Sequence, residues 1–154
     1  MSLLTKLTNL KGEWKGTAKT YFRKDELADT SPIICLNRII ISDKVFIHEY
    51  KGSLLNSKME GIMMINFNKT RNKNECSWID NQHTGSELLI LEANDNFPLF
   101  DVVGSYPTSN AEEIWRWGIK INVISDKEFS INHFNIPPNI DHYLGIEMIF
   151  TRKD

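Results

Sequence analysis

The chain has 154 residues, with 18 Lys and Arg against 20 Asp and Glu, a formal net charge of −2 and 41% hydrophobic residues. A chain of that size is expected to form one domain, spanning 1–154, and to fold without disulfides or a structural metal, because it can bury about two thirds of its unfolded surface. Near-neutral charge without a basic block argues against nucleic acid or an anionic membrane as a partner.

Composition leans towards sheet: 19 Ile, 9 Thr, 8 Phe, 4 Tyr and 4 Trp stand against 4 Ala, and branched and aromatic side chains suit pleated surfaces where Ala suits helices. The opening segment carries Leu3, Leu4, Leu7 and Leu10 at helical spacing. Polar residues interrupt it too often for a secretory apolar core, so it reads as a short helix lying on the body. Ten short apolar or alternating runs follow, separated by clusters of Asn, Asp, Ser, Gly and Lys: Gly12–Phe22, Ile33–Ile41, Val45–Gly52, Met59–Phe67, Glu75–Asn81, Glu87–Ala93, Leu99–Ser105, Glu113–Ile124, Phe129–Ile136 and His142–Arg152. Connectors this brief forbid the crossover helices of a parallel sheet. The longest break, Arg23 to Ser31, holds a charged Lys24-Asp25-Glu26-Leu27 stretch that reads as a turn of helix across one end of the sheet. The most apolar stretch, Pro32 to Ile41, is broken by Asn37 and Arg38 and falls far short of the roughly 20 residues of a membrane span.

Alternation assigns the faces. Gly12, Trp14, Gly16, Ala18, Thr20 and Phe22 face inward in the first run, and Trp115, Trp117, Ile119, Ile121 and Val123 form the apolar face of the eighth. An antiparallel chain of about ten such strands packs as two sheets or closes into a barrel, and closure removes the exposed edges. The expected fold is therefore all-β, a closed up-and-down barrel with a short N-terminal helix. Cys35 and Cys76 show neither metal spacing nor a Cys-x-x-Cys arrangement. They read as buried free thiols in a reducing, cytoplasmic setting.

Particular residues also resemble a family. The opening Leu10-Lys-Gly-Glu-Trp-Lys-Gly-Thr resembles the Gly-x-Trp start of calycin barrels, the superfamily of lipocalins and fatty-acid-binding proteins, and Gly145-Ile-Glu-Met-Ile-Phe-Thr-Arg152 resembles their Arg-terminated last strand. Between them His48-Glu-Tyr50, Gly61-Ile-Met-Met-Ile-Asn-Phe-Asn68 and Trp78-Ile-Asp-Asn-Gln-His83 are similar in order and spacing to a lipocalin-like bacterial family, domain of unknown function 1579. The resemblance implies the barrel and a packing of Arg152 on Trp14 as its closure, and very little about function. A physical reason supports the pairing: if first and last strands are neighbours, the guanidinium can lie over the indole, worth about 1–2 kcal/mol when partly desolvated.

A barrel of this strand number is either filled by side chains or open to one small ligand. Candidate lining residues are Tyr50, Trp78, Trp115 and Trp117, with polar groups from Glu49, Asp80, His83 and Glu147. Aromatic walls with a few polar groups make up small-molecule pockets, although large rings also fill barrel cores. In Trp78-Ile79-Asp80-Asn81-Gln82-His83 the indole and the carboxylate share a face, with a His one turn on. Asp80 and His83 then work as an acid–base pair, hold a ligand hydroxyl, or bond the turn at Thr84-Gly85. His48 reads as an outward strand residue. The four His, at 48, 83, 133 and 142, lack zinc spacing. The opening is also similar to that of nitrobindins, which bind haem through a His on a late strand. The matching place here is about Gly145, and His142 lies on the opposite alternation, which argues against haem.

No nucleophile elbow, phosphate-cradling loop or dinucleotide fingerprint is present. The sequence thus favours a binding protein for a small hydrophobic or amphipathic molecule, with no cofactor or metal. The alternatives are an acid–base enzyme using Asp80, His83 or Glu49, or a filled scaffold barrel. A homodimer is compatible with it.

Overall fold

The computed structural model describes residues 2–154; Met1, the first residue of the leading segment, lies outside them. Helix α1 (Leu3–Leu7) starts where the Ser2 hydroxyl accepts the Thr5 N–H, and a 3-10 turn (Thr8–Leu10) carries the chain to the barrel. Ten strands follow: β1 (Gly12–Arg23), β2 (Glu26–Ile40), β3 (Val45–Leu54), β4 (Ser57–Asn68), β5 (Lys73–Asp80), β6 (Leu89–Glu92), β7 (Val102–Tyr106), β8 (Trp115–Val123), β9 (Glu128–Ile136) and β10 (Tyr143–Arg152). Each pairs antiparallel with its neighbour in the chain, and β1 pairs with β10 from Trp14 opposite Arg152 to Thr20 opposite Ile146, closing the barrel. The β3–β4 hairpin turns on Leu55 and Asn56, both at positive φ (49° and 65°), as the right-handed twist of a two-residue hairpin requires. No described helix is long and apolar enough to cross a membrane.

The two ends of the barrel differ. At one, Leu3, Leu7 and Leu10 are buried under the strands, and Trp14, Phe129 and Phe150 fill the interior. Trp14 meets Phe129 edge-on at 4.7 Å, and Phe129 stacks on Phe150 at 4.9 Å. The Leu10 carbonyl, left free where the 3-10 turn ends, accepts both the Trp14 indole N–H and the Asn37 amide, each at 2.9 Å. Arg152 lies over the Trp14 ring at 4.3 Å and donates to the carbonyls of Asn9, Lys11 and Asp126. This end is plugged. A second apolar cluster, Phe100, Val103 and Ile136 with Phe97 and Phe134, lies on the outward face of β7 to β9, where Gly118 leaves room for the Phe100 ring.

Three local expectations are corrected. The Lys24–Leu27 stretch forms no helical turn. β1 and β2 run on as a hairpin, Arg23 opposite Glu26, with Asp25 at φ 59° and register shifts beyond Thr20; these residues project past the barrel, so they lack the apolar alternation that marks a strand. Phe100 belongs to the outer cluster and not to β7, which begins at Val102. His48 points inward and is fully buried, since β3 alternates with Phe46, His48 and Tyr50 on its inner face. Its cost is offset by the Asn37 side-chain oxygen 2.8 Å from Nδ1. Cys35 and Cys76 are buried free thiols whose pKa is raised by burial.

Candidate functional site

The end opposite the plug is hollow. Small residues on β1 and β10, Thr20 and Gly145, leave a cavity of about 450 Å³ lined also by Trp78, His83, Tyr106, Trp117 and Asn135 and extending to Gln82 and Glu87 at its rim. Its aromatic wall is a stacked pair, Trp78 and Trp117, with ring centroids 5.6 Å apart and planes 17° from parallel. His133 packs against Trp78 at 4.6 Å. The Trp117 indole N–H donates to His133 Nδ1 at 2.9 Å, which places the imidazole proton on Nε2. Burial pushes His133, like His48, down to about 3, so both are neutral at pH 7.

Behind Trp78 runs a buried hydrogen-bond chain. The Trp78 indole donates to the Tyr50 hydroxyl at 2.8 Å, and that hydroxyl donates to Asp80 Oδ2 at 2.6 Å. Gly61 makes this possible: it sits on β4 between Tyr50 and Asp80 in the register, and a Cβ there would fall 2.3 Å from the Tyr50 ring and 2.6 Å from the Asp80 side chain. Asp80 Oδ2 also takes His83 Nδ1 at 2.7 Å, while Oδ1 accepts the backbone N–H of Gln82 and of His83. Thr84 locks the turn by bonding the Asp80 backbone in both directions. Burial alone would raise the Asp80 carboxyl, but the hydrogen bond from His83 and the charge of that ring in its imidazolium form, with the Tyr50 hydroxyl, outweigh it and hold the group at about 2. Burial and the adjacent carboxylate keep Tyr50 protonated. Asp80 thus anchors the turn and orients His83 at once.

The structure brings Tyr50, Trp78, Asp80, His83 and Trp117 together, with Trp78, His83 and Trp117 on the cavity wall and Tyr50 and Asp80 buried behind it rather than lining it. Trp115 does not join them: it opens β8 beyond the last β8–β9 pair, Arg116 opposite Ile136, and leans on Tyr106 at the rim. Glu147 lies between the inward Ile146 and Met148 and so faces outward. Glu49 also faces outward and pairs with Arg38. His142 is exposed, edge-on to Phe100 and Phe134 outside the barrel, and at Gly145 a Cβ would already meet the Trp117 ring at 3.1 Å. Sequence reasoning missed His133 and Asn135, which only the inward parity of Phe129, Ile131 and His133 on β9 could have indicated. Among the described residues no group of three or more His, Cys, Asp or Glu gathers to hold a metal.

A closed up-and-down barrel, plugged at one end and hollow at the other, has the lipocalin-like calycin architecture. The chain belongs to the family described as "Protein of unknown function (DUF1579)", whose model matches residues 5–152. Among solved structures it is similar to the S-type phycobiliprotein lyase CPES from Guillardia theta, with a TM-score of 0.53 and 8% identity over 100% of this chain and 94% of that one. No curated protein matches. At that identity the likeness concerns the fold.

Proposed function

We propose that the protein binds one small, flat, largely apolar molecule in the hollow end of the barrel, against the stacked indoles of Trp78 and Trp117. The observation that carries this reading is the cavity itself: about 450 Å³, open to solvent, with an aromatic wall and a few polar groups at its sides. Ligand pockets of soluble proteins have this size and make-up. A filled scaffold barrel would have closed both ends as it closes the helix end. Neither Lys nor Arg lines the space, and Glu87 and the Asp80 carboxylate stand beside it, so a neutral ligand is favoured over an anion. Titration with the neutral probe N-phenylnaphthylamine, followed by tryptophan fluorescence, should give saturable quenching. Trp117→Leu removes one stacking partner and should weaken the probe about tenfold, the equivalent of 1–1.5 kcal/mol. Quenching that stays linear with probe concentration would defeat the proposal.

A further inference from the structure

We propose that His83, positioned by Asp80, accepts a proton from a ligand that carries a carbonyl, removing the hydrogen on the carbon beside that carbonyl and returning it. The inference rests on the ligand-binding reading and adds a reaction to it. Asp80 Oδ2 lies 2.7 Å from His83 Nδ1, and an ionised carboxylate can only accept, so Nδ1 carries a proton and, in the neutral imidazole that acts as base, Nε2 presents its lone pair. Nε2 is buried and has no protein partner, although His83 lines the cavity. The Nε2 lone pair is spent on no protein group, and the ring that carries it borders the cavity, so a small turn of the ring presents it to a bound ligand.

The other buried imidazoles are arranged differently. His133 spends its Nδ1 lone pair on the Trp117 indole, so its Nε2 bears a hydrogen and is not basic. His48 donates from Nδ1 to Asn37 and leaves its Nε2 unpartnered too, but it lies beside the plug and does not border the cavity. Only His83 is backed by a carboxylate, and that carboxylate is held by the Tyr50 hydroxyl and two backbone N–H groups. It therefore keeps the ring in one tautomer and stabilises the imidazolium when it forms.

The choice of a carbonyl comes from Asn135. Its side-chain oxygen accepts the Tyr106 hydroxyl at 2.8 Å, so what it can still offer the cavity is N–H. An amide donor suits a carbonyl oxygen on which negative charge develops. In the step, the C–H bond breaks, its electron pair moves onto the carbonyl oxygen as an enolate, and the proton resides on Nε2. The reverse transfer restores the C–H bond at the same or a conjugated carbon. Nothing is oxidised or reduced, and no co-reactant is consumed.

β-Tetralone, a flat neutral ketone with an exchangeable hydrogen between ring and carbonyl, is the probe. The full chain in D₂O should quench with β-tetralone saturably and speed its deuterium uptake, read by NMR, above the rate given by equimolar free imidazole. His83→Asn keeps a nitrogen donor for Asp80 but deletes the base, and should lower the exchange rate by about 100-fold when each protein is measured at a β-tetralone concentration that saturates its own quenching. Asp80→Asn, which tests positioning, should lower the exchange rate at its own saturating β-tetralone concentration, and Asp80→Glu, which keeps a carboxylate for His83, should restore part of it. Saturable quenching by β-tetralone without accelerated exchange overturns the proposal, as does wild-type exchange in His83→Asn. Quenching by N-phenylnaphthylamine but not by β-tetralone also overturns it and leaves the binding reading standing. Quenching by neither removes both.

Discussion

Removal of the Arg152 side chain probes the closure of the barrel. The guanidinium lies 4.3 Å from the centre of the Trp14 ring, whose own surface is fully buried, an arrangement worth about 1–2 kcal/mol. It also donates at 2.7 Å to the carbonyls of Asn9 and Lys11 and at 2.9 Å to that of Asp126. These bonds sit near solvent, so water replaces much of each, and together they add about 1 kcal/mol. Arg152→Ala should therefore lose about 2–3 kcal/mol, and at about 2–4 °C per kcal/mol for a domain of this size the midpoint should fall by about 5–10 °C. Asn9 and Lys11 flank the end of the 3-10 turn, so the same change should raise amide exchange in residues 3–10. Arg152→Lys keeps the charge but cannot fork to three carbonyls, and should fall between the two. Calorimetry of the three proteins at neutral pH decides it: a midpoint in Arg152→Ala within 1 °C of wild type would show that the strands close without this contact.

Two further perturbations address the buried chain behind Trp78. The folded-state pKa of Asp80 is depressed from 3.8 to about 2, so its ionised form contributes about 2 kcal/mol of stability that is present above pH 4 and lost as pH falls through about 2; urea unfolding should show the gap between wild type and Asp80→Asn shrinking by that amount from pH 5 to pH 2, and a constant gap refutes it. Gly61→Ala would drive a methyl group into the Tyr50 ring and the Asp80 side chain. It should cost about 3 kcal/mol or more and weaken probe binding at the cavity, whereas a fully stable Gly61→Ala protein would show that the ring can move aside.

The alternation of β1 and the inner apolar row of β8 made the barrel legible, because one side of every strand had to be dry. The ends were less legible. Glu26 to Ser31 extend a strand that has no core to face along much of its length, so composition there says turn and pairing with β1 says sheet. His48 looked outward because a buried imidazole is costly, and the compensation is Asn37, the polar residue that seemed merely to interrupt an apolar run. The Trp78–His83 hexapeptide was legible as a site of interest because its indole and carboxylate share a face. Tyr50 was legible as a companion of that stretch, but its bonds to Trp78 and Asp80 were not, since the contact crosses an intervening strand over Gly61 and depends on cross-strand register.

The two readings of the tryptophans, core filler and cavity wall, are both realised, at different depths. Level with Trp14 the interior receives Phe129, Phe150 and Phe46 together with the leucines of the leading helix, and that volume closes it. Level with Trp117 the inner positions of the neighbouring strands are Gly104 and Asn135, with Gly145 at the β10 bulge. Adding a Cβ at Gly104 would strike the Ile90 carbonyl at 2.4 Å, and at Gly145 it would press on the Trp117 ring, so small residues here are required by backbone and ring packing and not merely tolerated. Of these, Gly145 borders the cavity, and with Thr20 it leaves the space beside the indoles unfilled. A barrel selected for stability alone would place larger apolar side chains at the positions free to take them, such as Thr20. His83 and Asn135, which border the cavity, are tied to Asp80 and to Tyr106, so the protein itself holds the hollow end in shape, which would lower the ordering cost of the binding proposed above.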